Sequence, residues 1–260
     1  MREMRREDIW INNRSLRDVD ARIINVKLLE DRAERETIFG DWPGRPGRLL
    51  LGARRVSKTV RIEFGIRELY DLAAREAVLE AVNAWAADGV LTASARPGRM
   101  LEGVVKAWAA AEDIRDYNAA YQLEFETTAV PYWQDELPAT ASGSGATGEI
   151  NLTVGGDLPT WAEITMTAGA ALSSATITTA SAEGQTATAL SGLSLAAGKV
   201  LRIYHDAAGI LRIEADGVSA LSKRGASSAD EPLIGPGMSQ ITWAASANVT
   251  VNVAARGRYR

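Results

Sequence analysis

The stretch VLRIYHDAAGILRIE, residues 200–214, decides how the second half of the chain folds. Two runs that alternate apolar and polar side chains flank Asp206 and Gly209, which are residue types that suit tight turns. This pattern predicts a β-hairpin with its apolar side chains on one face. Because short runs rich in Thr, Val and Ile recur around it, residues 149–260 are predicted to form an antiparallel β-sandwich.

The other predicted strands of this domain have the same character, and no helical period interrupts them. Asp216-Gly217 is a second turn signal. The predicted strands are 149–154, 161–167, 174–179, 185–190, 200–204, 209–214, 239–245 and 248–255.

Charge density divides the chain into two parts. Residues 1–137 hold 21 Lys and Arg and 24 Asp and Glu, whereas residues 138–260 hold 8 and 9. The junction, residues 138–148, is rich in Gly, Ser, Thr and Ala, and it is predicted to be an interdomain linker. It contains a G-x-G-x-x-G match at 143–148, but no helix pattern follows it, so the linker interpretation is preferred to a dinucleotide site.

The first part is predicted to be β with one flanking helix. Runs at 21–29, 59–64, 104–108 and 120–127 are typical of strands. Residues 66–88 change to helical spacing, with an apolar stripe opposed by charged residues and Gly89 as the C-terminal cap. The stripe, predicted to pack against the sheet, consists of Leu69, Tyr70, Ala73, Ala77, Ala81 and Ala84.

Composition excludes several classes of protein. The chain has no Cys and one His, so a zinc or iron-sulfur site lacks its usual ligands, and we expect no metal and no cofactor. The net charge of -4 argues against a protein that grips nucleic acid. No run of 18 apolar residues and no signal-peptide pattern is present, so neither membrane insertion nor a cleaved export signal is expected.

Candidate chemical groups are few. His205 lacks a recognisable nucleophile and is predicted to be a solvated turn residue. The acidic pairs, among them Glu30 and Asp31, lie among arginines and are predicted to form surface ion pairs. Trp161, Tyr204 and Trp243 could offer stacking faces to a sugar, although the tryptophans lie in predicted strands, which favours a core position for them.

The order of these features resembles the distal tail proteins of long-tailed, non-contractile bacteriophages. The strand 60–64, the helix and the segment 123–126 come in the order of that family, and an aromatic segment similar to the family's closes the first domain. Motifs of the second part, at 155–161, 233–237 and 241–243, are similar to its galectin-like or carbohydrate-module-like domain. The positions that carry the resemblance are Phe125, Pro131, Tyr132, Trp133, Pro159, Trp161, Gly237 and Trp243.

The resemblance implies a structural, non-enzymatic protein of the virion tail tip, assembled in the bacterial cytoplasm. Residues 1–137 would be a β-barrel-like domain that forms a homo-hexameric ring, and 149–260 a β-sandwich adaptor. The implied partners are the tail tube protein and a hub or fibre protein, with DNA passing through the lumen. Two other hypotheses stay open: a carbohydrate-binding adhesion module, or weak sugar binding by the second domain, and an enzyme whose site the sequence does not reveal.

Overall fold

A computed structural model describes residues 7–30, 35–41, 48–67, 71–110, 119–206, 208–226, 228 and 232–260. The chain divides into two compact units, Met1–Trp133 and Gln134–Arg260. This boundary lies four residues before the predicted end of the first domain at 137. Both units are built mainly from antiparallel strands, so the predicted mostly β fold with one helix is confirmed.

The first unit contains one long sheet and one separate hairpin. The sheet has the order β2-β1-β7-β8-β9-β6-β3, and β4 pairs with β5. The elements are β1 (Ile9–Ile11), β2 (Arg14–Ser15), β3 (Ile23–Glu30), β4 (Arg35–Asp41), β5 (Arg48–Arg55), β6 (Thr59–Ile66), α1 (Leu72–Trp85), β7 (Gly89–Ala93), β8 (Arg99–Ala110) and β9 (Ala119–Thr127), followed at the boundary by β10 (Trp133–Asp135).

The alternating strands form where the sequence predicts them. In β6, Val60, Ile62 and Phe64 are buried while the residues between them are partly exposed, as expected for a strand with one face on a core. It pairs with β9 in continuous register from Thr59 opposite Glu126 to Ile66 opposite Ala119. Both strands contribute to the core of the first unit, since Leu123 and Phe125 of β9 are also inaccessible to solvent.

The predicted helix at 66–88 is present but shorter, and it buries a different face. The side chain of Asp71 caps α1 by accepting a hydrogen bond from the backbone N–H of Ala73 (2.9 Å). Val78, Val82 and Trp85 are buried. They bury more apolar area than alanines can, and this decides which face meets the core.

The predicted alanine stripe is therefore wrong. Ala73, Ala77 and Ala84 are exposed, Ala81 is partly exposed, and residues 68–70 lie outside the described part of the chain. No helix among the described residues is long and apolar enough to cross a membrane.

The second unit is a nine-stranded antiparallel sheet curled around its own core. The order is β14-β13-β19-β12-β15-β16-β17, with β11 pairing with β19 and β18 with β12. Its elements are β11 (Ala139–Val154), β12 (Thr160–Ala168), β13 (Leu172–Ser181), β14 (Gly184–Leu195), β15 (Val200–His205), β16 (Leu211–Ala215), β17 (Val218–Ser219), a 3-10 helix (Leu221–Lys223), β18 (Leu233–Ile234), β19 (Gly237–Ala255) and β20 (Arg258–Tyr259).

The two predicted turns are confirmed. β15 and β16 pair from Leu201 opposite Ala215 to His205 opposite Leu211. Asp216 and Gly217 have φ values of 52° and 79°, the left-handed pair that a two-residue hairpin turn requires. The stretch that was used to predict the fold thus forms the hairpin expected of it.

The predicted linker at 138–148 is wrong. Residues from Ala139 onward form the first part of β11, which pairs with β19 from Ala139 opposite Ala255 to Val154 opposite Gly237. The two strands predicted at 239–245 and 248–255 are likewise one continuous strand, β19. A partner strand about a hundred residues away along the chain orders a segment whose own composition suggests disorder.

The glycines of this segment make room for an indole ring. A Cβ on Gly148 would overlap Trp243 Cζ2, and one on Gly143 would lie 2.6 Å from Cη2 of the same ring. Trp243 Nε1 donates a hydrogen bond to the carbonyl of Gly145 (3.1 Å), where the register shifts. The G-x-G-x-x-G match is therefore a packing feature of a strand pair.

Hydrogen exchange distinguishes the strand from a linker. We expect alternate amides of residues 139–148 to exchange slowly, because every second N–H of an edge strand in an antiparallel pair is bonded to its neighbour. Exchange of the whole segment on the time scale of Gly217, an exposed turn residue, would contradict the pairing. Mass spectrometry of overlapping peptic fragments measures both regions in one sample.

Candidate functional site: the Glu30 cluster and the Trp161 stack

The carboxylate of Glu30, at the end of β3, accepts hydrogen bonds from three other segments of the first unit. Glu30 Oε2 accepts hydrogen bonds from Lys58 Nζ (2.9 Å) and Trp133 Nε1 (3.1 Å), and Oε1 accepts one from Arg96 Nε (2.7 Å). Lys58 Nζ also lies 5.8 Å from the centre of the Trp133 ring. We call these four residues the Glu30 cluster. The cluster connects Glu30 to residues that lie 28, 66 and 103 positions further along the chain.

The surrounding strands hold the donors in place. Lys58 directly precedes β6, and its backbone forms two hydrogen bonds with Thr127. Its N–H donates to the side-chain Oγ1 of Thr127 (2.8 Å), and its carbonyl accepts from the Thr127 N–H (2.9 Å). The Lys58 side chain is only 6% exposed, and the whole of Trp133 is inaccessible to solvent. A charge in such a position needs its partner, because desolvation without one is costly.

The cluster holds Glu30 in its charged form. Burial raises the pKa of Glu30, but the hydrogen bonds from Arg96, Lys58 and Trp133 outweigh it and lower the pKa to about 2. The prediction that Glu30 belongs to a solvated surface pair is therefore wrong. Its neighbour Asp31 and the segment 111–118, which contains another of the acidic pairs, lie outside the described residues.

The other first-domain positions of the resemblance are packing residues. Phe125 is inaccessible to solvent, and a Cβ on Gly103 would lie 2.6 Å from its ring, so the glycine admits the phenyl group. Pro131 is buried and Tyr132 partly buried, immediately before Trp133. Of these positions, Trp133 joins the Glu30 cluster, so the aromatic end of the first domain has an identified hydrogen-bond partner.

In the second unit, Trp161 lies between a histidine and an arginine. The His205 ring stacks on the indole with centroids 4.1 Å apart and an angle of 12° between the planes. The Arg258 guanidinium carbon lies 4.2 Å from the indole centre, and its Nη1 donates to the carbonyl of Pro159 (3.4 Å). His205 ends β15 and Arg258 lies in β20, which follows β19. Both groups lie over the ring, 4.1 and 4.2 Å from its centre, so they occupy opposite faces of the indole. We call Trp161, His205 and Arg258 the Trp161 stack.

The two predicted core tryptophans have different positions. Trp243 is 4% exposed and belongs to the core, as predicted. Trp161 is partly exposed and stands in the stack, and His205 joins it instead of forming a solvated turn. Gly237, the remaining motif position, is exposed at the start of β19.

Of the three aromatic residues considered for sugar stacking, Trp161 and Trp243 offer no open ring face, and Tyr204 has a guanidinium over one face. Trp161 is covered by His205 and Arg258, and Trp243 is buried. The Arg202 guanidinium lies 4.1 Å from the centre of the Tyr204 ring. A sugar could stack on Trp161 only after displacing Arg258 or His205, and the cation–π contact of Arg258 opposes that displacement.

Paired charges cover the surface beside the stack. Asp206 accepts from the backbone N–H of Ile210 (3.0 Å) and from Arg212 Nε (2.8 Å), and these contacts lower the pKa of Asp206. The hydrogen bond that Tyr204 donates to Glu214 (2.8 Å) raises the pKa of the phenol. These groups satisfy one another's hydrogen-bonding capacity and hold the β15–β16 hairpin in its shape. Within the described residues, no group of three or more His, Asp and Glu side chains could hold a metal ion.

Within the described residues, the two units define a mostly β protein with a single α-helix, in which hydrogen-bonded and stacked side chains hold neighbouring strands together. The chain has the fold of the phage SPP1 Dit (gp 19.1) protein, whose crystal structure is described as a paradigm of the hub adsorption apparatus in phages that infect Gram-positive hosts. The match has a TM-score of 0.68 at 10% identity and covers 96% of this chain and 98% of that one.

Two structures of the phage P2 baseplate in its activated conformation, with Ca and with Sr, also match. Their TM-scores are 0.45 and 0.42 at 6% identity, over 96% and 95% of this chain and 97% of each of theirs. TM-scores this low do not establish a common fold. No family model and no curated protein matches the sequence.

Proposed function

We propose that the protein is a structural component of a bacteriophage tail tip. Its first unit forms a homo-hexameric ring that joins the tail tube to a hub or fibre protein, and the second unit serves as an adaptor. The observation that carries the proposal is the fold match to SPP1 Dit, which extends over both units with a TM-score of 0.68. A match limited to one unit would equally suit an isolated β domain.

The contacts within the chain suit a structural role. The Glu30 cluster joins four segments of the first unit, and the Trp161 stack joins β12 to the end of β15 and to the segment that follows β19 in the second. Contacts of this kind hold a subunit surface in one shape, which repeated subunit contacts around a ring require. The net charge of -4 fits a channel through which DNA passes without being gripped.

Carbohydrate adhesion, the main alternative from the sequence, gains no support from the second unit. Both ring faces of Trp161 are covered, Arg202 lies over one face of Tyr204, and Trp243 is in the core. Titration with host cell-wall glycans is therefore expected to leave the fluorescence of the full chain unchanged. A saturable change that Trp161→Ala abolishes would favour the adhesion hypothesis.

The ring is tested with the purified full chain. We expect light scattering to give six times the mass of the chain, and negative-stain electron microscopy to show rings of six-fold symmetry with an open centre wide enough for a DNA duplex. A particle that stays monomeric at every concentration, or a closed two-fold dimer, would contradict the proposal.

A further inference from the structure

The strand β11 lies at one edge of the sheet of the second unit. In the described part of the chain it pairs only with β19, whose other side carries β12 and β13. After the register shift between Gly145 and Thr147, a regular stretch of eight residues, 147–154, continues to the end of the strand. Every second residue of an antiparallel edge strand directs its N–H and C=O groups away from its partner. Residues 147–154, which we call the β11 edge, therefore present a row of hydrogen-bonding groups to the outside.

The sheet also ends at β14 and at β17, and both of those edges are protected. On β14 the backbone of Ala189 is already bonded, since its carbonyl accepts from the N–H of Gly225 (2.8 Å) and its N–H donates to Ser228 Oγ (2.9 Å). The strand β17 is only two residues long. The β11 edge has neither form of protection, and it contains no Lys and no Pro, which commonly discourage the addition of a strand.

Two rows of side chains define what the β11 edge can accept. The inward row faces the core, and its member Ile150 packs against the core but is only partly buried. An added strand with apolar side chains on its inward face would complete the burial of Ile150. The outward row is polar and exposed, and it consists of Thr147, Glu149, Asn151 and Thr153. The β11 edge therefore suits a strand that alternates apolar and polar residues.

Glu149 gives the β11 edge a preference for positive charge. It is exposed, and it is the only charged residue of β11. Its neighbours on the same face are Thr147 and Asn151 along β11 and Thr242 across on β19, none of which is a cation. Opposite charges that face each other stabilise a strand pair, and like charges destabilise it. A second copy of this edge would bring another carboxylate and no cation, so the complementary occupant is a basic strand of a different polypeptide.

We infer that the β11 edge binds an extended strand of another polypeptide, which pairs antiparallel with residues 147–154 and carries Lys or Arg opposite Glu149. Its apolar side chains lie beside Ile150. Strand addition of this kind takes its affinity from main-chain hydrogen bonds and its specificity from alternate side chains. The site belongs to the second unit and does not depend on the proposed ring, so the failure of one is distinguishable from the failure of the other.

A peptide derived from β19 is the probe, because that strand already matches residues 147–154 in register. The peptide has the sequence of residues 237–244 with Thr242→Lys, which sets a cation opposite Glu149, and it carries fluorescein. Fluorescence anisotropy with the full chain is expected to show saturable binding. Glu149→Lys in the chain is expected to weaken binding about tenfold, and a peptide with Thr242→Glu is expected to recover it.

Glu183→Lys is the matched control for the charge reversal. Glu183 is exposed in the turn before β14 of the same unit, so the control changes the net charge equally at a distance from the β11 edge. It is expected to bind the Lys peptide like the unaltered chain. Circular dichroism shows that both variants are folded.

Backbone methylation tests whether main-chain hydrogen bonds hold the peptide. One version is N-methylated at residues 239, 241 and 243 and another at 240, 242 and 244, so each loses the N–H groups along one of its edges but keeps every side chain. Because strand addition uses only one edge of the peptide, one version is expected to bind like the unmethylated peptide and the other to lose binding.

Three results of these measurements would overturn the inference. The first is the absence of saturable binding, the second is equal binding of the two methylated peptides, and the third is equal affinity of the Glu149→Lys and Glu183→Lys chains. Mass photometry tests the remaining occupant, a second copy. If the unaltered chain forms assemblies that the Lys peptide dissociates, the β11 edge pairs between copies, and the inference of a different polypeptide is wrong.

Discussion

Replacement of Glu30 by Gln is expected to lower the free energy of unfolding of the first unit by about 3 to 5 kcal/mol. The amide has the shape of the carboxylate but no charge, and it leaves the Lys58 ammonium, 6% exposed, without its partner. It also weakens the hydrogen bonds from Arg96 and Trp133, since bonds to a charged acceptor are the stronger kind. Differential scanning calorimetry measures the change.

Glu124→Gln in the same unit is the matched control for this substitution. Glu124 lies 3.7 Å from Arg61, with side chains 35% and 42% exposed, so its loss is expected to cost about 0 to 1 kcal/mol. Equal melting temperatures for the Glu30 and Glu124 variants would mean that the Glu30 cluster contributes nothing to stability.

The contribution of Glu30 depends on pH in a defined direction. Its pKa is about 2 in the folded chain against an ordinary value of 4.5, so the unfolded state binds the proton more readily. The stabilisation is therefore fully present above about pH 4.5 and is lost as the pH falls towards about 2. The difference in stability between the parent and the Glu30→Gln variant should narrow over that interval, and a difference that stays constant would assign the effect to packing alone.

Local patterns predicted the elements whose partners are near in sequence. The hairpin at 200–214 was predicted from its alternation and turn residues, because both strands and the turn lie within fifteen residues. The helix was predicted in the right place, but its buried face was not. Alanine spacing suggested one face, whereas Val78, Val82 and Trp85 gain more from burial.

Long-range partners explain what local patterns could not predict. The Gly-rich segment 138–148 has the composition of a linker, and only β19 makes it a strand. Glu30 has the neighbours of a surface residue, and its donors lie 28, 66 and 103 residues away. The glycines at 143, 145 and 148 were a signal of close packing, because a glycine in a strand often lies where a large side chain packs against the backbone. That the large side chain is Trp243 depends on a pairing between distant residues, which a single sequence does not contain.

Replacement of Trp243 by Ala is expected to destabilise the second unit by about 3 to 5 kcal/mol, because it removes a core indole that is 4% exposed. Gly143 and Gly148 flank the ring, and neither has a side chain that could move into the cavity. The hydrogen bond to the Gly145 carbonyl at the bulge of β11 is lost as well, so the carbonyl is left without that donor.

Trp161→Ala is the matched comparison, since it deletes the same side chain from the same sheet. Trp161 is partly exposed, and its loss removes the stacking contacts with His205 and Arg258 but no core volume, so about 1 to 2 kcal/mol is expected. Urea unfolding followed by circular dichroism compares the two variants. If the two variants lose the same free energy of unfolding, Trp243 packs no more tightly than Trp161, and its place beside the glycines of β11 adds nothing to stability.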